Sequence, residues 1–494
     1  MQIKFKSEPI NGPVKPATVI FLTQGEEDPF DNRKELASFR ILLNPHLTSG
    51  VFKACHLDVL TLFFAPDTWL VVVGLGKEEA LTEAKLMEAG AKAAKEILSL
   101  KIKEAFVLLP KLQYYPSKVL ELLTTGLLLG ISPRFSYKST PADHVALRTI
   151  TIQSLSSQNV IDRAKSYINR AEAMAEAQLN ARRLTDQPAD RLTPEAFAQE
   201  AVALGLQKKL KVTVWDPEKL EIEKAGGVLA VGKGSVNSPR LVIMEYQGAA
   251  GLGAQAPKVL IGKGVTFDSG GLCLKPGENM ALMKTDMAGA AVVLSVMSAA
   301  ATLKLAHRLV AIIPLAENMP SGSAYRPGDI VKMLSGSNVE IVNTDAEGRL
   351  LLADALALAL RYHPKLIVDV ATLTGACQVA LGDQVAGLFC DDVDLRTKLI
   401  EAGQSVGEAL WQLPLFDAYD ENLKSEIADF SHAASRAGGA INAALFLRRF
   451  VKNVPWAHID IAGTSRCARK RPSCPEGPTG FAVRTLIKYL TNLT

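Results

Sequence analysis

The sequence predicts an α/β protein of two domains: a smaller N-terminal α/β domain and a larger C-terminal domain with a mostly parallel central sheet flanked by helices. Three observations carry that expectation. Short apolar runs rich in β-branched residues alternate with helical stretches along the chain, the pattern of parallel strands joined by helical crossovers. Between two such regions lies a stretch of Ala, Glu, Arg and Gln without glycine or proline, which favours one long helix. Glycine and proline cluster mainly where the later apolar runs end, and sites in such sheets form at the carboxyl ends of the strands.

In the first region TVIFL from Thr18, WLVVVGLG from Trp69 and EAFVLLP from Glu104 read as strands, and EEALTEAKLMEAGAKAAKEIL from Glu78 as helix. The long helix is NVIDRAKSYINRAEAMAEAQLNARR, Asn159 to Arg183. Thr193 before Pro194 reads as an N-cap with proline at the first helical position, where its missing N–H costs nothing. Beyond Pro257, KVLIGKG, HRLVAIIPL, NVEIVNT, KLIVDVATL and WAHIDIAG alternate with helical segments, as strands of a largely parallel sheet covered on both faces would. The expected boundaries are 1–158 for the first domain, 159–183 for a linker helix and 184–494 for the second. A length of 494 residues accommodates this at roughly 150 residues per domain.

Composition narrows the function. Hydrophobic residues at 48% and charged residues at 21% match folded globular proteins and argue against disorder or a coiled coil. Lys+Arg at 55 against Asp+Glu at 51 leaves +4, too small a bias for nucleic-acid binding to be the main task. MQIKFKSEPINGP reaches charge and proline before any apolar core of a secretion signal, and no apolar run is expected to cross a membrane; LLLADALALAL from Leu350 carries Asp354 and reads as a buried helix. The six cysteines include no C-x-x-C pair, so reduced thiols and a cytoplasmic location are expected.

Several motifs are discounted. GQSVG, Gly403 to Gly407, has the form of a nucleophile elbow around Ser405, with His432 or His458 as base, but its lead-in DDVDLRTKLIEA is helical where the elbow needs a strand. GGVLAVGKGS has phosphate-loop spacing at Gly227, Gly232 and Lys233, yet Gly234 stands where a hydroxyl should hold magnesium. GLGAQA from Gly251 is followed at once by Pro257 and a strand, leaving no helix to receive a pyrophosphate. The seven histidines show no paired ligand spacing.

Three segments place acids among glycines at strand ends: IGKGVTFDSGGLCLK with Lys263, Asp268 and Lys275, MKTDMAGAA with Asp286, and VEIVNTDAEGRLLLADAL with Asp345 and Glu347. Any one of these acids alone reads as a helix cap or turn residue. Residues two apart diverge on a helix but can face one centre in a turning segment, so Asp345 and Glu347 can share a metal site. Four carboxylates gathered together repel and desolvate one another unless cations neutralise them, and two divalent ions supply four charges.

On these residues the sequence resembles the leucyl (cytosol) aminopeptidases, a family that includes the bacterial aminopeptidases A. NTDAEGRL, Asn343 to Leu350, is the family signature, and GKGVTFDSGG, MKTDMAGAA, ENMPSG and WAHIDIAG through GPTGF occur in family order. The match runs from Asn180 to the C-terminus; the first roughly 160 residues fit by position and α/β character.

The resemblance implies removal of the N-terminal residue of peptides, leucine-like preferred but with broad tolerance, by a water or hydroxide bridging two metals. Asp268 and Glu347 would bridge both ions, Asp286 and the Lys263 amine would complete the tighter site, and Asp345 the exchangeable one. Zinc or manganese, with magnesium possible, suits so oxygen-rich a set. Lys275 would polarise the scissile carbonyl, and Arg349 would hold a bicarbonate acting as general base. Met283, Thr372 and Gly375 would line the side-chain pocket with Lys275, and Asn442 departs from the threonine of many relatives. A homohexamer is implied as well. Some bacterial relatives also bind DNA, a possibility the charge balance does not support.

Overall fold

A computed structural model describes residues 1–6, 16–25, 37–65, 67–110, 112, 118–139, 147–153, 158–249, 255–434 and 436–493. The chain separates into two compact units, Met1–Ala175 with Arg469–Glu476, and Glu176–Ala468 with Gly477–Thr494. The expected long helix spans Gln158–Asp186 and runs across the division between Ala175 and Glu176.

The first unit holds a six-stranded sheet in the order Gln2–Lys6, Thr149–Gln153, Glu104–Leu108, Ala17–Thr23, Thr68–Gly76, Val59–Ala65. All neighbours are parallel except the last pair, the expected crossover pattern with one edge hairpin. Helices Glu83–Ser99 and Val119–Ile131 pack backbone to backbone, because a Cβ on Gly126 would stand 2.0 Å from Met87 O and one on Gly90 2.4 Å from Leu123 O.

The second unit carries a nine-stranded sheet. Its order is Ala409–Gln412, Val385–Phe389, Trp456–Asp460, Leu366–Ala371, Lys258–Gly262, Leu309–Asn318, Arg240–Tyr246, Lys211–Trp215, with Gly264–Asp268 also pairing Leu309–Asn318. The strands from Trp456–Asp460 through Leu309–Asn318 are parallel and almost wholly buried. Fully buried β-branched and leucine side chains from them join those of helix Gly348–Ala359 in one core. Thr193 caps helix Pro194–Lys208 as expected, its hydroxyl accepting from Ala196 N at 3.2 Å.

Helix Ala288–Leu303 rests directly on this sheet because its facing residues are small. A Cβ on Gly289 would lie 2.1 Å from Val370 O and 3.0 Å from Lys263 N, both backbone atoms that cannot step aside. Gly289→Ala is therefore expected to cost about 1–3 kcal/mol or more, read as a lowered midpoint in urea unfolding; an unchanged midpoint would show that the helix slides without penalty.

The structure corrects two expectations. NVEIVNT does not join the main sheet: only Asn338–Glu340 is extended, and it pairs with Ile330–Lys332 and Phe430–Ser431 in a small side sheet. A turn at Gly336, with φ 93°, folds the chain back on itself there instead of letting it cross over. One apolar stretch, Met280–Leu303, is, against expectation, long and apolar enough by composition to span a bilayer; 83% of its most apolar part is buried inside the protein, as in a core helix. The helix from Leu350 is buried, and Asp354 within it accepts from Val228 N at 3.0 Å and Leu334 N at 2.8 Å.

The discounted motifs take ordinary roles. Ser405 follows helix Val393–Gln404 and donates to Ala402 O, and Gly226–Gly232 is a short helix with no phosphate loop. Gly251 and its next three residues lie outside the described residues.

Candidate metal centre

The site grows from the carboxyl ends of parallel strands. Lys258–Gly262 ends at Lys263, Gly264–Asp268 ends on Asp268, Leu309–Asn318 on Asn318, and Leu366–Ala371 leads into Thr372. Backbone bonds pin Lys263 on both sides: its N–H donates to Val370 O at 3.1 Å, and its carbonyl accepts from Ala290 N at 2.8 Å. After Asp268 the chain turns sharply through Gly270 and Gly271, with φ 89° and 65°, a conformation that favours residues lacking Cβ. That turn returns Lys275 toward Asp268.

Asp286 sits between the 3₁₀ turn Met280–Thr285 and helix Ala288–Leu303. Asp345 lies in a turn that Asn343 organises, its N–H donating to Asn343 Oδ1 at 2.9 Å, and Glu347 immediately precedes helix Gly348–Ala359. The glycine at 348 is dictated by Lys263, whose Cε would lie 2.3 Å from an added Cβ.

These segments, up to 84 residues apart between Lys263 and Glu347 in the sequence, meet at one point. Lys263 Nζ lies 2.8 Å from Asp286 Oδ2, 2.9 Å from Glu347 Oε1 and 2.8 Å from Thr372 O. Lys275 Nζ lies 2.8 Å from Asp268 Oδ2 and also pairs with Asp345 Oδ1. Oxygens of Asp268, Asp286 and Glu347 all fall within 4.8 Å of one another, with all three residues buried. Asp345 is more open and joins the group through Lys275.

Electrostatics explain why the lysines are there. Burial drives the carboxyl of Asp268 up to about 6, with the Glu347 charge adding to it and Lys275 and Lys263 opposing. Burial likewise raises Asp286 and Asp345. Burial disfavours the Glu347 carboxylate too, but Lys263 and Lys275 outweigh it and hold this acid below its ordinary value. Burial also opposes the charge on each lysine, and the surrounding carboxylates reverse that, raising Lys263 through Asp286 and Glu347, and Lys275 through Asp268 and Glu347.

The donor set fits divalent cations. Buried Glu347 Oε2 has no hydrogen-bond partner among the described residues, and Asp286 Oδ2, though 2.8 Å from Lys263 Nζ, lacks hydrogen-bond geometry to it. A buried carboxylate oxygen without a donor is costly, and a coordinated cation satisfies it.

Arg349 is buried, donates from Nη1 to His432 O at 2.9 Å, and is pushed down to about 10 by burial. Its Nε is buried without a partner among the described residues, which suits it to a small anion. Met283 is half-buried on the Met280–Thr285 turn, and Gly375 opens helix Gly375–Leu381 with empty space where its Cβ would be. The Thr372 hydroxyl is engaged, donating to Asp286 Oδ1 at 2.7 Å. Asn442 is buried, with its side chain bonded to Asn422 and Ala437.

Three further residues shape the site, and sequence reasoning did not find them. Asn318 is fully buried and divides its amide between Asp268 Oδ1 at 2.8 Å and Thr344 O at 3.0 Å, tying two acid-bearing turns together. Tyr325 donates to the same carbonyl at 2.8 Å. His432 accepts from Val342 N on Nδ1 and reaches Asn343 O from Nε2 at 2.9 Å, so the neutral ring braces the turn before Asp345. An asparagine ending a strand that is apolar up to Glu317 was the one visible signal, because a buried amide requires partners; His432 carries none.

Comparisons with known proteins give the family of both regions of the chain. The model of the cytosol aminopeptidase family, catalytic domain, matches residues 179–487, and that of the family's N-terminal domain matches residues 19–141. A probable cytosol aminopeptidase of Roseiflexus castenholzii is 45% identical over 87% of this chain and 88% of its own length. One of Syntrophotalea carbinolica is 44% identical over 86% of each. Among solved structures, the bottromycin maturation enzyme BotP in complex with Mn superposes with a TM-score of 0.86 at 34% identity, covering 97% of this chain and all, 100%, of that one. A mutant of tomato leucine aminopeptidase gives 0.88 at 29% identity, covering 100% of this chain and 96% of the other.

Proposed function

The chain belongs to the cytosol aminopeptidase family and is a metal-dependent aminopeptidase, and from that premise we propose that it is a two-metal enzyme acting on peptides that begin with leucine-like residues. The observation that carries the two-metal reading is the unpartnered Glu347 Oε2, buried where oxygens of Asp268 and Asp286 converge within 4.8 Å. Asp268 and Glu347 would serve both ions, Asp286 and Lys263 one of them, and Asp345 the other. Oxygen donors with one amine are compatible with zinc, manganese or magnesium. When bound, two such ions supply a nucleophilic water at neutral pH and stabilise developing negative charge.

The chain's own residues do the rest. Lys263 could ligate only as a neutral amine, so metal binding there would require loss of the proton that the surrounding carboxylates favour. Thr372 fixes Asp286 from one side while its carbonyl orients Lys263. Lys275 keeps its charge and faces the acids from the more open side, where it can stabilise an oxyanion. Arg349 would hold a bicarbonate, which supplies a general base near the water. Met283 and Gly375 would line the pocket for an apolar side chain, Gly375 with open space at its Cβ position. A homohexamer in the cytoplasm belongs to the same reading, and sedimentation of the purified protein as a monomer would remove the first of these.

The deciding experiment strips the protein of metal, reloads it with manganese or zinc, and measures hydrolysis of leucine amide beside N-acetyl-leucine amide. Cleavage of the free substrate alone, dependent on metal, is expected. Cleavage of the blocked substrate, or activity that survives stripping, would refute the reading.

Asn318→Ala is expected to weaken metal binding by about 10–100-fold, because Asp268 loses the amide that orients it. Competition with a fluorescent chelator reads this directly, and affinity equal to the parent's would show that Gly270 N, 2.9 Å from the same oxygen, suffices.

A further inference from the structure

At the other end of the same strands lies a cavity of about 760 Å³ that the peptidase chemistry does not use. It is built where the parallel strands begin. Lys258 opens the Lys258–Gly262 strand, its N–H donating to Arg308 O at 3.0 Å, and Lys365 precedes Leu366–Ala371, its N–H donating to Pro257 O at 2.8 Å. At ~3.3 Å per residue, Lys258 lies about 16 Å along its strand from Lys263, so the cavity is separate from the metal centre.

Two of its positive charges, on Lys258 and Lys365, are uncompensated. Lys258 is only 8% exposed, and neither it nor the exposed Lys365 has a carboxylate partner among the described residues, whereas lysines are almost never buried unless paired. Burial, with the Lys365 charge adding to it, brings the Lys258 ammonium down to about 8, still charged at neutral pH. His307, 9% exposed, lines the same cavity with a buried Nε2 that has no partner among the described residues. The acids in the wall have other partners: Asp394 pairs at 2.7 Å with Lys398, itself in the wall, and Asp392 caps helix Val393–Gln404 by accepting from Leu395 N at 2.8 Å. Leu366, Pro455 and Leu493 give the remaining wall an apolar character.

Two ammonium groups without carboxylate partners in one cavity call for a multiply charged oxyanion with several acceptor oxygens. The volume, within the ~300–1,000 Å³ range of small-molecule sites, and the apolar wall leave room for an organic remainder. We propose that this cavity binds a phosphate group, as the free ion or as part of a small phosphate ester, held between Lys258 and Lys365 with His307 beside it.

The test is calorimetric titration of the intact, metal-loaded enzyme with inorganic phosphate, adenosine monophosphate and adenosine, at constant ionic strength. Binding of one or both phosphates at about 1 mM or tighter, with none by adenosine, is expected, and Lys258→Met and Lys365→Glu should each weaken it at least about tenfold. Tighter binding of the nucleotide identifies an ester as the ligand; binding of phosphate alone identifies the free ion. Absence of binding overturns the proposal, and so does binding indifferent to both substitutions, which would belong to the metal centre. Lys365 is exposed, so Lys365→Glu decides the matter even if the buried substitution prevents folding.

Discussion

Glu347→Ala is expected to abolish peptide hydrolysis, lowering kcat/KM by at least about 10⁴-fold, the scale on which residues acting as one unit fail together, and to reduce metal content in parallel. Glu347 is where the fewest substitutes exist. Its Oε1 lies 2.9 Å from Lys263 Nζ, its Oε2 has no protein donor, and the Gly348 behind it is held small by the Lys263 side chain. Truncation leaves the Lys263 ammonium buried with one carboxylate fewer, and breaking a buried pair from one side costs about 3–5 kcal/mol. The metal-free variant should therefore melt below the metal-free parent. Inductively coupled plasma measurement of metal content, a melting curve and a leucine amide assay check the three consequences separately. Unchanged content and rate would remove Glu347 from the metal set.

What could be read in advance follows from range of interaction. Strands such as Lys258–Gly262 and Leu366–Ala371 declare themselves locally, since a run buried on both faces must be apolar throughout. The acids were legible because several carboxylates gathered at strand ends are costly unless cations neutralise them. NVEIVNT misled because three β-prone residues look alike whether they cross a domain or turn back after Gly336; sheet membership is decided by partners remote in sequence. Asn318 and His432 escaped for a related reason. Their contacts, Asp268, Thr344 and Asn343, lie 26 to 89 residues away, and no spacing rule joins them. The Thr372 hydroxyl shows a subtler gap, because family position suggests a pocket-lining residue while its hydrogen bond serves Asp286.

Lys275→Ala should act on the rate and leave the ligand shell occupied, which separates its role from that of Glu347. The Lys275 side chain is 22% exposed and reaches Asp268 Oδ2 at 2.8 Å from the open side, unlike the enclosed Lys263 at 3%. Burial works against its charge, but Asp268 and Glu347 outweigh it and raise Lys275 above its ordinary value. A fixed positive charge facing the place where a carbonyl oxygen becomes anionic strengthens its contact as the barrier is approached. Loss of one such donor lowers kcat by about 10²–10³-fold while KM moves little. Arginine in its place should restore little, because a planar fork cannot occupy the position of a compact ammonium between two carboxylates. An effect confined to KM would make Lys275 a substrate anchor. Loss of metal along with the rate would make it a counter-ion that merely keeps Asp268 and Asp345 together.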